Sequence, residues 1–100
     1  PLIMTPAQLK ASAATDAQPP RGLSREAESL WFIKKGEWDK AHDIAQDIHT
    51  PTGSWLHALL HLIEGDLGNA RYWFAEARRP AKKPSQIDEL WEEIAQAVLK

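Results

Sequence analysis

From Leu23 onward apolar residues recur at helical spacing, and that period predicts the architecture. Ser24 can cap a helix in which Ala27, Leu30 and Trp31 return every three or four positions until Lys35-Gly36. Gly36 suits the left-handed backbone that ends a helix, and Lys34 and Lys35 sit favourably at the negative end of its dipole. A second helix carries Trp38, Ala41, Ile44, Ala45 and Ile48 on one face. Thr50-Pro51-Thr52-Gly53-Ser54 breaks the pattern, and Ser54 is expected to cap a third helix from Trp55 to Glu64. Gly65-Asp66 repeats the stop-and-cap device and opens a fourth helix from Leu67 to about Arg79. The connector Pro80-Ala81-Lys82-Lys83-Pro84 is stiff and basic. Beyond it, Ser85 with Asp88 approximates a capping box for a last helix with Ile87, Leu90, Trp91, Ile94, Val98 and Leu99 on one face. No stretch alternates with period two, so the expected fold is all-α.

Residues 1–22 follow a different pattern, with four of the seven prolines and no aromatic residue. Thr5-Pro6 can open a short helix over about 5–14, with proline at its first position. Asp16 to Gly22, which contains Pro19-Pro20, then reads as a linker. An arm of this kind is mobile unless its apolar groups (Leu2, Ile3, Met4, Leu9) dock. The expected organisation is therefore a mobile arm over 1–22 and one helical domain over 23–100.

Very short turns join the helices in pairs, which makes antiparallel hairpins. Gly36-Glu37-Trp38-Asp39-Lys40-Ala41 corresponds to Gly65-Asp66-Leu67-Gly68-Asn69-Ala70 at an offset of 29 residues. Further along, Ala45 and Ile48 answer Phe74 and Ala77, and Pro51 answers Pro80. Self-similarity of this period signals stacked helical hairpins, in which a small residue lets two backbones approach closely. On these residues the chain resembles tetratricopeptide-like repeats over roughly 23–80. The second unit matches through Gly65-Asp66, Ala70, Phe74, Ala77 and Pro80. The first matches through Gly36, Trp38, Ala41 and Pro51, and departs by placing Ala45 where a large aromatic is usual. The resemblance implies two antiparallel hairpins, a capping helix over residues 85–100, and a scaffold that binds a protein or peptide. The segment from Trp55-Leu56-His57-Ala58-Leu59-Leu60-His61 through Glu64-Gly65-Asp66 and Asn69-Ala70 to Tyr72-Trp73-Phe74 also resembles a small family of helical proteins, to which no activity attaches.

Composition narrows the function. At 100 residues the chain has room for one domain, and with 43% apolar and 26% charged residues it is ordinarily globular. Twelve basic against fourteen acidic residues give −2, so nothing electrostatic points to nucleic acid or an anionic membrane. The longest near-apolar run, Leu59-Leu60-His61-Leu62-Ile63, falls far short of the ~20 residues a membrane span needs. No secretory signal is visible at the start, and the expectation is a soluble, cytoplasmic protein. Cysteine is absent, which removes disulfides, thiolate nucleophiles and thiolate metal ligands. The basic group Arg71, Arg78, Arg79, Lys82 and Lys83 is read as complementing a helix C-terminus and solvating the connector.

Five tryptophans and four histidines in so short a chain are the unusual feature. Trp31, Trp38 and Trp91 fall on periodic apolar faces and are assigned to the core, leaving Trp55 and Trp73 for a binding surface. Of the consecutive Tyr72-Trp73-Phe74, Phe74 is the core member, and Tyr72 and Trp73 are boundary residues with polar tips. On a helix, His57, His61 and Glu64 stand at roughly 0°, 40° and −20°, one narrow stripe on an otherwise apolar helix. Histidines at i and i+4 can chelate a transition metal, with Glu64 as a third ligand and His42 or His49 from the neighbouring helix as a fourth. Against this, no Glu follows the first histidine as in metalloproteases, and rings packed between helices can be satisfied by Asp66, Asn69 or Tyr72.

The leading expectation is thus a non-enzymatic interaction module that binds a protein partner or itself, without a cofactor. Its rationale is that Trp55, Leu59, Leu62 and Ile63 need a cover. The alternative is a small-ligand or metal-binding protein using His57, His61 and Glu64 with His42, Asn69 and Tyr72 nearby, and an enzyme is the third reading. No glycine-rich phosphate loop or nucleophile elbow is present.

Overall fold

The structure, a computed structural model, describes residues 4–99. Its elements are α1 (Pro6–Thr15), α2 (Arg25–Lys35), α3 (Trp38–Gln46), α4 (Pro51–Glu64), α5 (Leu67–Ala77), a 3₁₀ turn (Pro84–Gln86) and α6 (Ile87–Val98). Among the described residues there is no strand, and the protein is all-α. No helix among the described residues is long and apolar enough to cross a membrane.

Local chemistry explains most boundaries. Thr5 and Gln8 form a reciprocal capping box at the start of α1, with Pro6 behind it. Ser24 accepts from the Ala27 amide at the start of α2, and Asp66 from the Asn69 amide at the start of α5. Gly36 and Gly65, at φ of 89° and 86°, adopt the left-handed conformation that closes α2 and α4.

Three boundaries differ from the periodicity. α4 begins one turn earlier than Trp55, because Thr50, not Ser54, is the cap: its hydroxyl accepts from the Gly53 amide and Pro51 occupies the first position. The segment read as a breaker is a start signal. Ser85 does not form a box with Asp88; instead the Lys83 amide donates to Gln86 Oε1 and a 3₁₀ turn leads into α6. α3 stops at Gln46, where Asp47 and Ile48 donate to the Ile44 and Ala45 carbonyls in a tightened last turn.

Packing centres on α4, of which every residue from Trp55 to Leu62 is buried. It contacts α2, α3, α5 and α6, while α2 packs on α3 and α1 lies against α2 and α6. Leu9 of α1 is fully buried, which is worth about 2 kcal/mol. Docking therefore occurs over Pro6–Thr15; Leu2 and Ile3 lie outside the described residues. Indole groups pin the helices together. Trp31 Nε1 donates to Ser12 Oγ at 3.0 Å, Trp91 Nε1 to the Leu30 carbonyl at 3.0 Å, and Trp38 Nε1 to the Leu60 carbonyl at 2.7 Å. Buried Ser29 donates to the Ala41 carbonyl, tying α2 to α3. Trp31 and Trp91 lie fully in the core, but Trp38 is only half-buried.

Candidate functional site

Three neighbouring helices each contribute a pair of side chains spaced i, i+4. α3 supplies Trp38 and His42, α4 supplies His57 and His61, and α5 supplies Asn69 and Trp73. That spacing puts both members of a pair on one helix face, and the packing of α3 and α5 on α4 brings the three faces together. His42 stacks on Trp38 (centroids 4.8 Å apart, 11° between planes) and meets His57 and His61 edge-on at 4.8 and 5.5 Å. His57 in turn stacks on Trp73 at 4.1 Å. His42, His57 and His61 each direct one ring nitrogen into the cluster, and these atoms lie within 4.8 Å of one another.

The two α4 histidines are only 7% exposed and have different partners. His61 Nδ1 lies 2.7 Å from Glu64 Oε1, and the Asn69 amide nitrogen is 3.4 Å from both ring nitrogens of His61. His57 Nδ1 is buried with no hydrogen-bond partner among the described residues. Burial above all, with the neighbouring His42 and His61 acting in the same sense, lowers the His57 pKa from 6.5 to about 4. His57 and Trp73 also form part of the wall of a groove of about 290 Å³, which Gln46, His49, Thr50, Ser54 and Glu76 help to line.

The residues singled out in the sequence separate clearly. His42, His57, His61, Asn69 and Trp73 converge, with Glu64 behind His61. Trp55 does not join them: it is 3% exposed in the core, its Nε1 has no partner among the described residues, and Arg79 stands 4.0 Å over its ring. Tyr72 is 56% exposed and bonded to Glu76. His49 is exposed on the groove rim, and neither it nor Glu64 belongs to the three-imidazole group. Asp66 caps α5, and it reaches His61 only in a second, more exposed grouping with Glu64. Trp38 is the site residue that sequence reasoning assigned to the core. Its signal was the Trp38–His42 spacing, the same as that of His57–His61 and Asn69–Trp73.

The shifted histidine makes stability depend on pH. In the unfolded chain His57 takes its proton near pH 6.5, and in the folded chain only near pH 4, so between these values the unfolded state binds more protons. Stability is full above about pH 6.5 and falls as pH drops towards 4. Allowing for the solvent that still screens the cluster, the loss is on the order of 2 kcal/mol. The groups facing His57 are His42 from α3 and His61 on α4, with His49 and Glu76 across the groove. Urea unfolding with chelator present at pH 7.5 and 5.0 checks this. The midpoint should fall in the parent, and the His57→Phe chain should lose the part of that fall due to His57. An identical fall in both chains would refute the assignment.

No protein-family model matches the chain, and comparison with curated proteins and with solved structures gives no match.

Proposed function

We propose that this chain is a small ligand-binding helical module, built as two tetratricopeptide-like hairpins (α2–α3 and α4–α5) with α6 as the cap, and that the imidazole–indole cluster is its binding site. The repeat reading is supported by the equivalent turns at Gly36 and Gly65 and by the equivalent Ala41 and Ala70, 0% and 1% exposed. The observation that carries the function is His57. A buried ring nitrogen with no partner costs about 1–3 kcal/mol, and here three imidazoles sit together where apolar side chains would pack more cheaply. A feature that lowers stability is expected where it serves binding.

The partner-binding reading stands second. The chain itself covers Trp55, Leu59 and Leu62, which are at most 3% exposed. The observation in favour of a partner is the exposure of Ile63 (38%) and Leu67 (41%), flanking the α4–α5 turn.

His57→Phe tests the first reading. Phenylalanine keeps the flat ring against Trp73 and removes the unpartnered nitrogen. At pH 7.5 in chelator it should raise stability by about 1 kcal/mol, or roughly 4–8 °C in melting temperature for a domain of this size. A fall of similar size would mean that the imidazole is a structural group, and the binding-site reading would be withdrawn.

A further inference from the structure

The identity of the ligand rests on that reading of the cluster. We propose that His42, His57 and His61 together bind one divalent transition-metal ion of the zinc, copper, nickel or cobalt type, with Glu64 as the carboxylate that orients His61.

The donor set selects the ion. Three imidazole nitrogens are borderline ligands suited to late first-row metals, whereas calcium and magnesium require oxygen. Cysteine is absent, so no softer ligand competes. Two donors come from successive turns of α4 and the third from α3, so the ion is held from two helices. The three nitrogens lie within 4.8 Å of one another. A tetrahedral ion with bonds of about 2.05 Å needs them about 3.4 Å apart, a difference that modest side-chain rotations can close.

The surroundings match those of a metal-bound histidine. Glu64 Oε1, 2.7 Å from His61 Nδ1, engages that nitrogen, so Nε2, approached by the Asn69 amide at 3.4 Å, is the donor assigned to the ion. A carboxylate behind a histidine in this way fixes the tautomer and raises its basicity as a ligand. The unpartnered Nδ1 of His57 shows that the cluster's hydrogen-bonding capacity is not used up within the chain. Three protein ligands leave a position for water or an outside donor. The competing group, His61 with Glu64 and Asp66, offers one imidazole and two exposed carboxylates, and it would spend Glu64 on the ion instead of on His61.

The test uses the full, untagged chain, stripped with chelator and titrated calorimetrically with Zn²⁺, Cu²⁺, Ni²⁺ and Co²⁺ in turn. One ion per chain is expected, and Zn²⁺ should shift the ring-proton resonances of His42, His57 and His61 while leaving those of His49 in place. Glu64→Gln should weaken binding by about 10–100-fold, His42→Gln and His57→Phe by more than that, and Asp66→Asn should leave it unchanged. Failure of all four ions to bind, movement of the His49 signals alone, or loss of binding in Asp66→Asn with retention in His42→Gln would each overturn the proposal. If His42→Gln does not fold, the wild-type ring signals decide alone. The two readings fail separately: stabilisation by His57→Phe with no ion bound removes the metal and keeps the binding site, whereas destabilisation by His57→Phe removes the site.

Discussion

Replacing Gly53 with alanine is expected to destabilise the protein by about 3 kcal/mol, against the ordinary preference of helices. Within a helix, alanine is normally better than glycine by roughly 0.5–1 kcal/mol. Here a Cβ on Gly53 would stand 1.9 Å from the Ile48 carbonyl oxygen and 2.8 Å from its carbon. Both are backbone atoms, so no side-chain rotation relieves the overlap and the α3–α4 connection must move. That connection also sets the position of Trp38 and His42 against α4. Gly53→Ala should therefore weaken binding at the histidine cluster although no site residue has changed. Gly68→Ala is the matched control, because a Cβ there meets nothing within 4 Å; it should be neutral or slightly stabilising. Equal urea midpoints for Gly53→Ala and the parent would contradict the close approach.

Removal of the Trp91 side chain is expected to cost about 4–6 kcal/mol. The ring is 1% exposed, Lys34 Nζ lies 4.5 Å from its centroid, and its Nε1 donates to the Leu30 carbonyl. Truncating a buried tryptophan to alanine costs about 3–5 kcal/mol, and the lost hydrogen bond adds about 1 kcal/mol. Set against a total stability of about 5–15 kcal/mol, Trp91→Ala should leave the chain marginal, with α6 the first helix to detach. Trp91→Phe keeps most of the packing and should retain most of the stability. Helical circular dichroism during urea unfolding measures both, and a loss below about 1 kcal/mol for Trp91→Ala would mean that α6 does not complete the core.

How far the fold could be read along the chain depended on whether the signal was local. Ser24, Gly36, Gly65 and Asp66 act on backbone groups within four residues of themselves, and their roles follow from residue type. Thr50-Pro51 was ambiguous, since a proline after threonine can end one helix or begin the next. The cap that decides it is itself local, the Gly53 amide reaching Thr50 three residues back, while the close approach of Gly53 to Ile48 seats the connection against α4. Trp55 and Trp38 exchanged places for a reason that is not local. Periodicity assigns a side chain to a face of its own helix, but the neighbour determines how far that face is covered, and Arg79 stands over buried Trp55 while Trp38 stays half-buried beside His42.

The candidate site divides along the same line. Helical geometry alone placed His57, His61 and Glu64 on one stripe, because 3.6 residues per turn brings positions 0, 4 and 7 into register. The chain pattern also determined that no thiolate could take part. Only the packing of α3 on α4 made His42 the third member, whereas Glu64 reaches His61 through their i, i+3 spacing on α4 itself. Only packing left His57 Nδ1 without a partner and placed Trp73 flat against the ring. Spacing along one helix is a property of the chain. Distance between side chains on different helices depends on how their surfaces fit, and in this protein that fit joined three ordinary i, i+4 pairs into one site.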